Sequence, residues 1–448
     1  MCDNYRGISV LSPFAKIIER LLSRQIIEFF ESNDFFSHSQ HGFRKEHSCE
    51  TALQTILDNW KLMFEQKKKV LSLFIDFKKA FDLVKPELLI LKLFHYGFDN
   101  MALSLMTNYF SDRSMIVKMN DKMSSRSKIE LGVPQGSILG PLLFIIFIND
   151  LAMDSDLNII LFADDTTLWH SDSDLIKLVS QFKLKFEKIS SWIKSNNLFI
   201  NWSKTKFMFI TSGRMRKCTL PENIFLENKQ VEVVNEFKLL GCILDSKLTF
   251  NQHFKNLRAT VLKKLFAIKR IFFLSEKIKV QFFKTFILPH FDYCASLFIY
   301  FTKTLITSHE KLYNLCLFHL VKLELNSLSI DIQAKTLEKF QLLPYCYRIF
   351  KRFAFFAFKI INKKILKNFQ NKLVLSENEQ STRDLTRNIY YVPLCKSKSG
   401  QKSLSVSLPS LVNKVLRLSF NLSLQDFTKF INLNFAILFN KFKNCILV

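Results

Sequence analysis

A short apolar run that stops on a carboxylate constrains this chain more than any other feature. Residues 70–76 read Val-Leu-Ser-Leu-Phe-Ile-Asp. The run is too short for an ordinary helix and is apolar at nearly every position, the pattern of a buried strand that delivers Asp76 at its end. Further along, two β-rich runs, 157–163 and 166–170, are split by Asp164-Asp165. That pattern predicts a hairpin with Asp164-Asp165 as its two-residue turn. A carboxylate ending a strand and a pair of carboxylates on a hairpin tip can converge on one point. Such a cluster repels itself unless cations sit between the oxygens. Hard oxygen ligands with open positions suit Mg²⁺, which also takes phosphate oxygens from a substrate. Two such ions can serve an attacking and a leaving oxygen together. Taken alone, Asp-Asp is also an ordinary turn pair.

Around these strands the sequence alternates helical and strand patterns. Ser12-Pro13 offers an N-cap and a first-turn proline to a helix ending near Asn33. A second helix is expected over 50–64 and a helical stretch over 86–110. Strands are expected over 115–119, 127–132, 206–210 and 237–244. A helix apolar nearly all round, and therefore buried, runs through Asp150. Ser173 is the expected cap of an amphipathic helix carrying Ile176, Val179, Phe182, Phe186, Ile189 and Ile193 on one face and ending at Asn196-Asn197. From about residue 255 the chain is mostly helical and basic, with Lys255, Arg258, Lys263, Lys264, Lys269 and Arg270. Residues 396–402 are expected to be exposed.

Charge narrows the class of partner. Sixty-four Lys and Arg against 39 Asp and Glu give a formal net charge of +25 over 448 residues, enough chain for two or three domains. That excess points to a polyanion, most simply nucleic acid. The longest apolar run, 138–148, contains Gly140 and Pro141 and is too short to span a bilayer, so no membrane partner is expected. Nine scattered cysteines with no paired framework suit an intracellular, reducing compartment, nucleus or cytoplasm. Cys316 and His319 lack further ligands at metal-binding spacing and are expected in the core.

Three ordered strings decide between the readings. They are Phe74-Ile75-Asp76-Phe77-Lys78-Lys79-Ala80-Phe81-Asp82, then Gly132-Val133-Pro134-Gln135-Gly136-Ser137-Ile138-Leu139-Gly140-Pro141, then Phe162-Ala163-Asp164-Asp165. In that order they resemble the central palm motifs of reverse transcriptases, and more narrowly those of non-LTR (LINE-type, jockey-like) retrotransposons. Asn4-Tyr5-Arg6-Gly7-Ile8-Ser9 and Gln40-His41-Gly42-Phe43-Arg44 resemble the finger motifs. Asn197-Leu198 through Asn201, with Lys204-Thr205-Lys206, resembles the following palm motif. Residues 237–245 resemble the primer grip, with Leu240 and Gly241 at its centre.

The resemblance implies an α+β right-hand polymerase: fingers and palm over 1–254 with an antiparallel sheet, a helical basic thumb over 255–330, and a helical, basic C-terminal extension over 331–448. It implies RNA-directed DNA polymerase activity on an RNA template, a DNA primer and dNTPs, with two Mg²⁺ ions for which Mn²⁺ could substitute. No stable protein partner is expected. Asp76 and Asp164 would hold the metals, with the main-chain carbonyl of Phe77 assisting and Asp165 supporting or ligating. Phe81 stands where the family places its steric gate against a ribose 2′-OH, although among 48 phenylalanines it could be a core residue. Gln135 would contact the incoming nucleotide or template, and Gly132 and Gly136 would let backbone approach the nucleic acid. Lys204 would donate a proton to pyrophosphate, or be a solvated lysine. Arg6 and Arg44 would contact phosphates, or be surface arginines. The chain begins almost inside a finger motif, without the preceding finger segment and endonuclease domain of such elements. The alternative is therefore a truncated, inactive fragment that only binds nucleic acid.

Overall fold

The computed structural model describes residues 8–212, 221–270 and 273–362, and beyond these 390, 392–393, 395, 402–413, 423–433, 437–439 and 442. The chain forms two compact units. One comprises Met1–Ser48, Val70–Phe209 and Cys218–Val234, the other Cys49–Lys69, Ile210–Lys217 and Asn235–Val448.

The first unit is a four-stranded sheet packed against helices. Helix α1 (Pro13–Ser32) starts as expected, with Ser12 Oγ accepting from the Ala15 amide at 3.2 Å. Strand β1 (Lys69–Ile75) is followed by α3 (Pro86–His95) and α4 (Asn100–Phe110). The helical stretch expected over 86–110 is two helices, because Gly97 at φ +89° turns the chain and Asp99 caps the second, accepting from Ala102 N at 2.7 Å. Next come two small ladders, β2 (Ser114–Met115) with β5 (Ser127–Lys128) and β3 (Lys118–Met119) with β4 (Lys122–Met123). The expected strand over 115–119 is broken between them, and Asn120 at φ +54° makes the inner turn.

Helix α5 (Leu139–Met153) is buried on nearly every side, as its sequence requires. Its one fully buried amide is satisfied: Asn149 accepts from Ser37 N and donates to Phe35 O and Tyr96 Oη, each at 2.8 Å. That matters because an unmet buried amide costs about 1–3 kcal/mol. Strands β6 (Asn158–Phe162) and β7 (Asp165–Asp172) form the expected hairpin. Its turn residues are Ala163 and Asp164 rather than Asp164 and Asp165, since Asp165 already pairs with Phe162 and Ala163 takes φ +57°. Helix α6 (Leu175–Ser195) is capped by Asp174, not Ser173: Asp174 Oδ1 accepts from Lys177 N at 2.9 Å. The expected face is buried at Phe182, Phe186, Ile189 and Ile193; in the first turn Leu178 is buried in place of Ile176, which is exposed. Strand β8 (Lys206–Ile210) completes the sheet in the order β6-β7-β1-β8. A hairpin of β9 (Asn223–Leu226) and β10 (Lys229–Glu232) follows.

The second unit is largely helical. Its α2 (Cys49–Glu65) is buried along most of its length. The expected strand over 237–244 is a hairpin of β11 (Glu236–Leu239) and β12 (Cys242–Asp245). Leu240 and Gly241, both at positive φ, form the turn a tight hairpin requires. Then come α7 (Asn251–Lys269), α8 (Glu276–Phe282), α9 (Leu288–Asp292), α10 (Lys303–Val321), α11 (Ile330–Glu338), α12 (Tyr345–Ile361), α13 (Leu404–Leu411) and α14 (Leu424–Leu433). Cys316 is fully buried in α10. Of the stretch 396–402 only Lys402 is among the described residues. It is partly buried, because its ammonium donates to Phe301 O at 2.6 Å. Among the described residues no helix is long and apolar enough to cross a membrane.

A buried carboxylate ties α13 into this unit. Asp58 on α2 is wholly buried, and its Oδ1 and Oδ2 accept from Ser405 N at 2.9 Å and Ser405 Oγ at 2.6 Å. Ser405→Ala should therefore lower the stability of this unit by about 1–3 kcal/mol, the cost of an unmet buried charge-assisted bond. The midpoint of denaturant unfolding measures it.

Candidate active site

Asp76 leaves β1 held by its backbone and by one of its two carboxylate oxygens. Its carbonyl accepts from Asn201 N at 2.7 Å, and its amide points at Thr205 Oγ1, 3.4 Å away. Oδ2 accepts from Asn201 Nδ2 at 2.9 Å and lies 3.7 Å from Lys204 Nζ. Oδ1 has no hydrogen-bond partner among the described residues, and the side chain is 36% exposed. Phe77 bridges Ile200 in a pattern that uses the Asp76 carbonyl and the Lys78 amide, leaving the Phe77 carbonyl outside that ladder.

Asp164 sits in the β6–β7 turn, and that turn is clamped from outside the sheet. Residues 39–42 run alongside β6: Leu161 N donates to Ser39 O at 2.9 Å and His41 N to Leu161 O at 2.8 Å. Gln40 Oε1 accepts from Gly42 N at 2.9 Å and lies 3.4 Å from Ala163 N. Gly42 lies so close to the turn that a Cβ there would stand 2.4 Å from Ala163 N. Burial holds His41 neutral well below the usual imidazole range, with His47 and Arg44 pushing the same way.

One chain of contacts brings both aspartates to the same end of the sheet. β7 neighbours β1, and Ser72 Oγ donates to Leu168 O across them at 3.2 Å. Beyond Asp76, the Phe81 ring stacks on Phe144 of α5 at 4.2 Å and meets the Phe43 ring edge-on at 6.4 Å. Phe43 follows Gly42, which abuts the Asp164 turn. Asp164 is half-buried and Asp165, the first residue of β7, is exposed. Among the described residues no three His, Cys, Asp or Glu side chains form a ready metal cage. The donor set fits a hard cation that completes its shell with substrate oxygens: carboxylates at one sheet end, one with an open oxygen, and a carbonyl free of the ladder.

The loop over 132–138 lies beside this end. Val133 N donates to Phe81 O at 2.9 Å and Gly132 N to Val84 O at 2.8 Å. Gln135 Nε2 donates to Asp82 Oδ1 at 2.8 Å, and Gln135 O accepts from Ser9 N at 2.7 Å. The fold itself also requires the two glycines. Each has positive φ, and the space a Cβ would fill holds the chain's own backbone: Asp82 at 2.8 Å for Gly132 and Ser9 O at 2.9 Å for Gly136.

Arg44 corrects the expectation of a phosphate contact. Its guanidinium is buried; Nε and Nη2 donate to Glu31 at 3.1 and 2.9 Å, and Nη1 to Ser37 O at 2.8 Å. It also lies 5.0 Å from the centre of the Phe36 ring, and with its side chain only 3% exposed it is turned away from any phosphate in solvent. Arg6 lies outside the described residues. Lys204 is mostly exposed beside Asp76. In the second unit, Leu240 O accepts from Tyr293 Oη at 2.6 Å, and Gly241 packs on the Tyr293 ring. Sequence reasoning gave no role to Asn201, Asp82 or Gln40, although each lies within a quoted motif. Their signal is a polar side chain at a fixed offset from a site residue, and only the fold supplies its partner.

A reverse transcriptase (RNA-dependent DNA polymerase) family profile matches residues 2–244, more than half of the chain. The chain belongs to the reverse transcriptase family. Members generally use divalent metal ions. The chain is 28% identical over 302 residues to a probable RNA-directed DNA polymerase from transposon X-element of Drosophila melanogaster, covering 65% of this chain and 32% of that protein. It is 26% identical over 318 residues to the RNA-directed DNA polymerase from mobile element jockey of Drosophila funebris, covering 66% and 33%. It thus spans about a third of the length of these relatives. A telomerase structure from Candida albicans with a fragment of telomeric RNA aligns over 81% of this chain and 55% of that one, at 15% identity and a TM-score of 0.37.

Two substitutions separate positioning from binding. Arg44→Ala should destabilise the first unit by about 3 kcal/mol, since it strands Glu31 and Ser37 O, and should leave the salt dependence of nucleic-acid binding unchanged. Unfolding and salt-titration curves report the two separately. Gly42→Ala should displace the Asp164 turn and cut any polymerase rate by about 10²-fold, with much less effect on the melting temperature.

Proposed function

We propose that this chain is the RNA-directed DNA polymerase portion of a non-LTR, jockey-like retrotransposon protein, acting within the nucleus or cytoplasm. It extends a DNA primer on an RNA template by nucleotidyl transfer from dNTPs. The observation that carries the reading is Asp76 and the Asp164 turn at one end of the sheet of a reverse transcriptase family member. The net charge of +25 supports a nucleic-acid partner gripped through its phosphates. A bare fragment that only binds is less well supported, because the carboxylates and their braces are intact.

Asp76, Asp164, the Phe77 carbonyl and, in support, Asp165 would hold two Mg²⁺ ions, which supply charge neutralisation at the attacking and leaving oxygens. Asn201 fixes the Asp76 carboxylate so that its open oxygen keeps one orientation, which removes reorganisation from the reaction. Lys204, exposed beside Asp76, would give a proton to the departing phosphate. Phe81, pinned between Phe144 and Phe43, presents a rigid ring that excludes a 2′-OH. Gln135, held by Asp82, carries the loop surface that meets the base pair being formed.

Primer extension on a primed RNA template tests the reading. The wild-type chain should extend with Mg²⁺ and stop with chelator, and Asp76→Asn or Asp164→Asn should reduce the rate by at least about 10³-fold. A folded wild-type chain that binds template–primer yet never extends it, with Mg²⁺ or Mn²⁺, would sink the proposal in favour of the inactive fragment. Phe81→Ala should keep dNTP use and relax discrimination against rNTPs by about 10²-fold in kcat/KM. An unchanged ratio makes Phe81 a core residue.

A further inference from the structure

We infer that Glu19 of α1 is a positioning residue for nucleotide binding, holding the 134–138 loop at its entry into α5. The inference rests on the polymerase reading above. Glu19 is 95% buried, on the opposite side of α1 from exposed Phe14 and Leu21. Its two oxygens reach different elements: Oε2 accepts from Ile138 N at 2.7 Å, and Oε1 accepts from Tyr109 Oη of α4 at 2.9 Å. Ile138 is the residue from which α5 starts, so Glu19 satisfies one of the amides a helix leaves open at its N-terminus. The carboxylate also meets the positive end of the helix dipole there.

The loop ahead of Ile138 is held at three further points. Ser137 Oγ donates to Pro134 O at 3.0 Å and accepts from Gly140 N at 2.7 Å. Ser9, just ahead of α1, donates its amide to Gln135 O at 2.7 Å. Gln135 Nε2 is fixed by Asp82. The segment 9–19 therefore grips the loop on both sides of exposed Gly136, through Ser9 before it and Glu19 after it. Glu19 provides the only carboxylate among these holds that also anchors to a third element, α4. Its loss frees the Ile138 amide and lets the loop shift relative to Asp76, which weakens nucleotide binding rather than the chemical step.

Steady-state primer extension and amide exchange on the full chain test this. Glu19→Ala should raise KM for dNTP about tenfold with a much smaller change in kcat, leave template–primer affinity unchanged, and speed exchange at Ile138. Glu19→Gln can accept from Ile138 and donate to Tyr109, so it should stay within about threefold of wild type. If Glu19→Ala fails to fold, Tyr109→Phe should move KM in the same direction by less. A KM unchanged in Glu19→Ala, or kcat and KM altered alike in both Glu19 variants, overturns the inference. If wild type itself does not polymerise, the functional reading fails separately, and unchanged exchange at Ile138 in Glu19→Ala still refutes this one.

Discussion

The site depends on a clamp around one hairpin turn. A two-residue turn at a sheet end is ordinarily among the more mobile parts of a fold, and a catalytic carboxylate placed there would wander. Here β7 is fixed by its neighbour β1, and β6 is paired on its other side by residues 39–42. Gly42 has no side chain because the turn's backbone occupies that space.

Polar side chains inside the motifs act mainly on one another. Asn201 orients Asp76, Asp82 orients Gln135, and Gln40 braces the turn that carries Asp164. A carboxylate or amide held at one atom keeps its other atom in a defined direction, which is what a reacting phosphate needs from a preorganised site. The same economy explains Arg44, whose buried fork is held by Glu31 and Ser37 and ties residues 37–44 to α1.

Much of the local structure was legible in the residues. The Ser12 cap, the all-round burial of α5, the β6–β7 hairpin and the strand that leads into Asp76 each follow from short-range pattern, and each is present in the fold. Where the reading slipped, the slip was a residue or two, as in the turn at Ala163-Asp164 and the cap at Asp174. Backbone geometry decides those positions, and several adjacent polar residues satisfy the pattern equally well. The break at Gly97 and the Leu240-Gly241 turn were visible as glycines but not as interruptions.

The sequence alone determined the chemistry available to this protein: ordered aspartates, a Gly-Val-Pro-Gln-Gly-Ser loop and a large positive charge, all properties of residue identity and order. Tertiary structure decided which polar groups stay open and which face each other. Arg44 and the two loop glycines look alike in sequence whether they meet a phosphate or the chain itself. Only the folded backbone brings Glu31 to the guanidinium, and the carbonyls of Asp82 and Ser9 to the glycines. Those partners lie far off along the chain, and neither local propensity nor motif spacing carries information about contacts at that range.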